Sequence, residues 1–192
     1  VSPILGIFAS SIQNSIANAT SYESIATTTV GPGGALSVTF SSIPSTYQHL
    51  QIRGISRAIR VGQTGAELAV QFNSDATTTN YRSHLLNGDG SGASAQSDQA
   101  FGGVYALRVP GSSALANNQG SFVIDILDYA STVKNKTTRI LTGYDNNGSG
   151  YISLASGVWL NSSTAISSVS IIPAYATSID QYSSFALYGI KG

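Results

Sequence analysis

The stretch Ser24-Ile25-Ala26-Thr27-Thr28-Thr29-Val30-Gly31-Pro32-Gly33-Gly34-Ala35-Leu36-Ser37-Val38-Thr39-Phe40 decides the fold. Its first seven residues are largely β-branched, and crowding at Cβ favours extended backbone over helix. Gly31-Pro32-Gly33-Gly34 then stops the run with a strong turn signal. Beyond it Leu36, Val38 and Phe40 alternate with Ser37 and Thr39, which predicts a second strand with those three side chains on one face.

The same grammar recurs along the chain. Pro44 breaks the backbone before a strand over residues 49–55, where Leu50 and Ile52 face one side and His49, Gln51 and Arg53 the other. Residues 66–72 set Leu68, Val70 and Phe72 against Glu67, Ala69 and Gln71. Further strands are expected over residues 101–109, 121–129, 137–144, 151–160, 166–172 and 185–190, with a flexible Gly/Ser/Asn loop over residues 87–99. No window combines helical spacing of apolar residues with caps. About ten strands and no helix predict an all-β antiparallel two-sheet sandwich of jelly-roll type. One such domain accounts for residues 21–192.

Composition narrows the function. The chain has 192 residues, nine basic and nine acidic, and no cysteine. Charged residues make up 9%, against about a quarter in an average soluble protein, so no basic footprint for nucleic acid or membrane is expected. With 42% hydrophobic residues, the chain has the material for a full core. The absence of cysteine excludes disulfides and thiolate metal sites.

Residues 1–20 read as a separate segment. Pro3, Ile4, Leu5, Ile7 and Phe8 form an uncharged apolar run that is too short to span a bilayer and lacks the basic start of a signal peptide. Two readings fit it: a terminal strand of the core, or an extended arm that docks onto another subunit. On the second reading those five residues are the docking contacts.

Candidates for chemistry are sparse. His49 and His84 are the only histidines, and no Gly-x-Ser-x-Gly elbow supplies a nucleophile. Asp125 and Asp128 lie three apart in a strand, on opposite faces, and make poor acid–base partners. Asp125 inside an apolar run suits a cross-strand ion pair with Arg53 or Arg139. Asp145-Asn146-Asn147-Gly148-Ser149-Gly150 resembles the start of a calcium loop, but Ser156 stands where a bidentate Glu is needed, so a hairpin turn explains it better. Gly88-Asp89-Gly90-Ser91-Gly92-Ala93 has the spacing of a dinucleotide motif without the βαβ context. The expectation is a protein that is not an enzyme and uses no cofactor or metal. One binding reading remains, a glycan site at Trp159, Tyr144, Asp145 and Asn147, with aromatic rings for sugar faces and polar groups for hydroxyls. The competing reading puts Trp159 and Tyr188 in the core or a subunit interface.

Several strings together resemble a family of tailed-bacteriophage virion surface proteins, head-decoration or fibre components. They are Ser2-Pro3-Ile4-Leu5-Gly6-Ile7, Tyr22-Glu23-Ser24-Ile25-Ala26, Val38-Thr39-Phe40-Ser41-Ser42-Ile43-Pro44 and Tyr47-Gln48-His49-Leu50-Gln51-Ile52-Arg53. Asp125-Ile126-Leu127-Asp128-Tyr129 and Phe185-Ala186-Leu187-Tyr188-Gly189-Ile190-Lys191-Gly192 complete the set. The resemblance implies a structural role on the virion, assembly as a homotrimer, and contact with capsid, neck or tail proteins. It brings no catalytic residues. A receptor-binding tip that recognises host surface glycans is the alternative it leaves open.

Overall fold

The computed structural model describes residues 21–97 and 101–192. Among them the first strands are β1 (Tyr22–Thr29), β2 (Val38–Phe40), β3 (His49–Ser56), β4 (Ala58–Ile59), β5 (Gly65–Phe72), β6 (Tyr81–Gly88) and β7 (Ala93–Ser97). The second half adds β8 (Val104–Pro110), β9 (Gly120–Leu127), β10 (Lys136–Asp145), β11 (Gly150–Trp159), β12 (Val169–Pro173), β13 (Ser178–Ile179) and β14 (Ser184–Ile190). A single 3-10 turn, Thr78–Asn80, precedes β6.

The strands make an all-β antiparallel sandwich. Its larger sheet runs β1-β14-β3-β9-β10-β11-β6-β7, the smaller β2-β12-β5-β8, and β4 with β13 forms a short ribbon. Setting aside the hairpins β6–β7 and β10–β11 leaves two four-stranded sheets, β1-β14-β3-β9 and β2-β12-β5-β8. That is the strand order of a jelly roll. The two hairpins are additions that widen the larger sheet beyond β9. In β10–β11 ten residue pairs stay in register, from Lys136 opposite Trp159 to Asp145 opposite Gly150. The turn between them places Asn147 and Gly148 at φ 59° and 89°, a conformation Asn and Gly adopt at least cost.

One core lies between the sheets. Leu50, Ile52, Ile124, Ile126, Ile140, Phe185 and Leu187 from the larger sheet meet Val38, Phe40, Leu68, Val70, Phe72, Leu107, Val169 and Ile171 from the smaller. Each fully buried side chain of this kind contributes roughly 1.5–3 kcal/mol relative to an exposed one. Arg57 is buried as well, and its guanidinium donates to the carbonyls of Leu115 (2.7 Å), Ser112 and Ala114 (both 3.2 Å). These bonds satisfy a buried cation and tie the loop before β9 to the ribbon.

Three expectations need correction. Among the described residues fourteen strands form where alternation predicts about ten; β4, β6, β7 and β13 are the additions. Residues 87–99 are not one flexible loop, because Asn87 and Gly88 end β6 and Ala93–Ser97 is β7. The turn between them is closed by the Asp89 carboxylate, which accepts the N–H groups of Ser91 and Gly92 at 2.9 Å. Leu36 does not share the face of Val38 and Phe40. The preceding Ala35 is diverted into a bridge with Ile179, leaving Leu36 79% exposed.

Close approach of backbones gives a test of the packing. A Cβ on Gly157 would meet Val104 Cγ1 at 2.3 Å and Thr138 Oγ1 at 2.7 Å, whereas one on Gly31 meets nothing within 4 Å. Gly157→Ala should therefore destabilise the fold by about 1–3 kcal/mol through overpacking. The expected reading is a lower urea midpoint with an unchanged m value, and no shift in Gly31→Ala.

Candidate functional site

The four residues of the glycan reading do not converge. Trp159 is 1% exposed and packs on Phe72, with ring centroids 5.8 Å apart. Its indole N–H donates to Asp75 Oδ2 at 2.8 Å. A ring covered in this way offers no face to a sugar, so Trp159 belongs to the core. Tyr144 and Asp145 lie at the opposite end of the hairpin, eight and nine residues along β10 from the partner of Trp159, or about 27–30 Å away. Asp145 caps the turn by accepting the Gly148 N–H at 3.2 Å, and Asn147 sits exposed in that turn. Burial pushes the half-buried Tyr144 phenol above its ordinary range. The proposed docking residues Pro3, Ile4, Leu5, Ile7 and Phe8 lie outside the described residues.

Several charged groups among the described residues are engaged with one another. Asp125 pairs with Arg139 at 2.7 Å and accepts from Gln51 Nε2 at 2.6 Å, its neighbours in register on β10 and β3. Glu67, buried on β5, is held by Arg60 and by Arg108 at 2.7 Å, and Arg108 lies 4.4 Å from the centroid of the Tyr151 ring. His49 Nδ1 accepts the Asp128 N–H at 3.0 Å, which ties β3 to the end of β9. The Asp128 carboxyl is lowered by its hydrogen bond from Lys134. His84 stands exposed on a sheet face opposite Ser156 and Ser97, at the edge of an open apolar depression that Leu86 and Leu154 also line. Among the described residues no three His, Cys, Asp or Glu side chains are grouped to hold a metal ion. The calcium-like segment forms the β10–β11 turn.

On the outer face of the larger sheet, Leu141, Leu154 and Leu86 stand side by side on β10, β11 and β6. They are 51%, 50% and 56% exposed, and Val123 and Ala95 continue their row on β9 and β7. The next row is Gly143, Ile152 and Gly88, with Ile152 59% exposed. On the other side runs a polar row through Gln51, Asp125, Arg139, Ser156 and His84. The strip itself carries no charge.

Sequence reasoning does not single out this strip, because the expected sense of burial is inverted there. In β11 the small residues Ser153 and Ala155 point inward and Ile152 and Leu154 outward. Ser153 is satisfied inside by donating its hydroxyl to Asn87 Oδ1. The available signal is that Ile152 and Leu154 share parity with Ser156, and Trp159 with Ser153. Burial of Trp159 then forces the leucine out.

Trp159 also makes the Asp75 contact a stability switch in acid. Desolvation pushes the Asp75 carboxyl up, but hydrogen bonds from Asn80, Trp159 and Thr77 outweigh it and bring the pKa to about 2. A folded-state value below the ordinary 3.8 contributes stability that is complete above about pH 4 and fades as pH falls towards 2. In urea titrations across that window the wild type should lose more stability than Asp75→Asn, the two converging near pH 2. Parallel curves would remove Asp75 from this role.

Neither a model of a known protein family nor a curated protein matches the chain, so the reading of the site rests on its geometry.

Proposed function

We propose that this protein is a non-enzymatic structural component of a tailed-phage virion surface that assembles as a homo-oligomer. The observation that carries the reading is the uncharged strip of Leu86, Leu141, Ile152 and Leu154 on an open sheet face. Apolar patches of this kind mark contact surfaces. Its placement on the two hairpins that extend the jelly-roll order supports the same reading. The paired carboxylates support it too, because a group held by fixed cationic and amide partners is poorly placed to shuttle protons. The resemblance of the strings around Ser2, Tyr47, Asp125 and Phe185 to virion proteins supplies the setting, with capsid, neck or tail proteins as partners.

In this reading Pro3, Ile4, Leu5, Ile7 and Phe8 supply the attachment to the particle. The glycan alternative loses its anchor with the burial of Trp159. Purified particles of the encoding phage should contain the protein, in a copy number near that of the coat protein for decoration and a handful for neck or tail. Deleting residues 2–12 should leave the circular dichroism spectrum and urea midpoint unchanged while the protein no longer sediments with particles. Absence from intact particles sinks the virion reading, and continued sedimentation of the truncated chain sinks the role of the segment.

A further inference from the structure

The outer strip has a relief that suits a second copy of itself. Leu141, Leu154 and Leu86 form a ridge across three strands, and the adjoining row, Gly143, Ile152 and Gly88, is a ridge with two gaps. Glycine has no side chain, and open depressions lie beside Ile152 at Gly143 and at Gly88, the second narrowed by Ile152 Cγ2. An axis lying in the sheet plane, across the strands and midway between these rows, exchanges one row for the other when a second copy is turned face to face. Leu141 and Leu86 of each copy then enter the hollows at Gly143 and Gly88 of the other, and Leu154 meets Ile152. The same rotation sets charges in order. Arg139 lies three positions to one side of the axis on β10 and Asp145 three positions to the other. Both are exposed, and the Arg139 side chain is 74% exposed even while it holds Asp125. Each copy thus brings its Arg139 over the Asp145 of the other.

We infer that this face is a two-fold self-association surface, with the Leu141–Leu154–Leu86 ridge packed into the Gly143–Ile152–Gly88 row of a second copy. The inference rests on the reading of the chain as an assembling structural protein and names the occupant of its contact face. The dimension fits. Five adjacent strands, β9 to β7, about 4.8 Å apart and mostly eight to ten residues long, present on the order of 600–800 Å² of sheet face. A standard interface takes about 800 Å² from each partner. An apolar centre with a polar rim of Gln51, Ser156 and the Arg139–Asp125 pair is the anatomy such interfaces have. Self-complementarity is what a two-fold contact requires.

Analytical ultracentrifugation of the full chain, away from any particle, tests the inference. The wild type should sediment as a concentration-dependent dimer. Leu154→Asp should raise the dissociation constant by on the order of 30-fold or more. Leu141→Ser, a milder change at an exposed site, should weaken the dimer with an unchanged urea midpoint at concentrations where both proteins are monomeric. Arg139→Gln and Asp145→Asn should each weaken it, and the double variant should do so by less than the product of the two effects, since both remove the same contact. A wild type that stays monomeric at high micromolar concentration overturns the inference, as does a trimer that survives Leu154→Asp. Dimer loss on deleting residues 2–12, with Leu154→Asp silent, also overturns it and assigns the contact to that segment. Each of these outcomes leaves sedimentation with particles to be read separately, so the virion reading stands or falls on its own measurement.

Discussion

The seating of Trp159 sets the parity of everything that follows it in the larger sheet. Its indole is enclosed against Phe72 and bound to Asp75, and it ends β11 opposite Lys136. Side chains alternate along a strand, so fixing one residue inward fixes them all. Gly157, Ala155 and Ser153 must then face the core, and Ser156, Leu154 and Ile152 must face out. A slip of one residue would bury the leucine and isoleucine and expose the tryptophan. The ladder from Lys136–Trp159 to Asp145–Gly150 carries the choice to β10, and the pairing of β11 with β6 carries it to Leu86.

The interior accepts this parity because several of its polar members find one another, although Thr138 Oγ1 is buried without a partner. Ser153 bonds Asn87, Thr142 donates to the Arg108 carbonyl at 2.8 Å, and Ser56 bonds Ser183 at 3.2 Å. Each replaces a bond to water that burial removes, so small polar residues can line a core without a large penalty. Lys136 follows the same logic. Its stem is buried, its ammonium donates to the Asn161 carbonyl at 2.9 Å, and desolvation lowers its pKa. A core that tolerates serine and threonine on one side of a hairpin leaves leucine and isoleucine for the other.

This inversion explains what was legible in the sequence. Strands such as β3 and β9 announce themselves because Leu50, Ile52, Ile124 and Ile126 recur at every second position and point inward. Gln51 and Asp125 are read correctly as outer-face residues, and the Asp125–Arg139 pair follows from their register. β6 is obscured because Ser83 and Asn87 occupy inward positions while Leu86 points out, so no clean alternation appears. β7 is hidden further, since Ala93–Ser97 is exposed on both sides and held chiefly by backbone pairing with β6. Trp159 is open in the sequence, where an aromatic near polar loops reads as a surface ring or as a core ring, and its contacts with Phe72 and with Asp75, 84 residues away, place it inside.

The two hairpins concentrate these departures from simple patterning, and that concentration has a physical meaning. Local rules are broken where another requirement outweighs them. The eight jelly-roll strands supply most of the core, with Ile140, Ala155, Tyr81, Leu85 and Trp159 added from the hairpins. The added strands place apolar side chains on the solvent side, where folding of a single chain gains nothing from them. Burying them against another surface recovers the hydrophobic contribution that the fold leaves unused. The low charge of the chain works in the same direction, because a neutral strip can be covered without desolvating unpaired ions. Arg139 fits that constraint, since it enters any such contact already paired with Asp125 and keeps part of its guanidinium for a second acceptor.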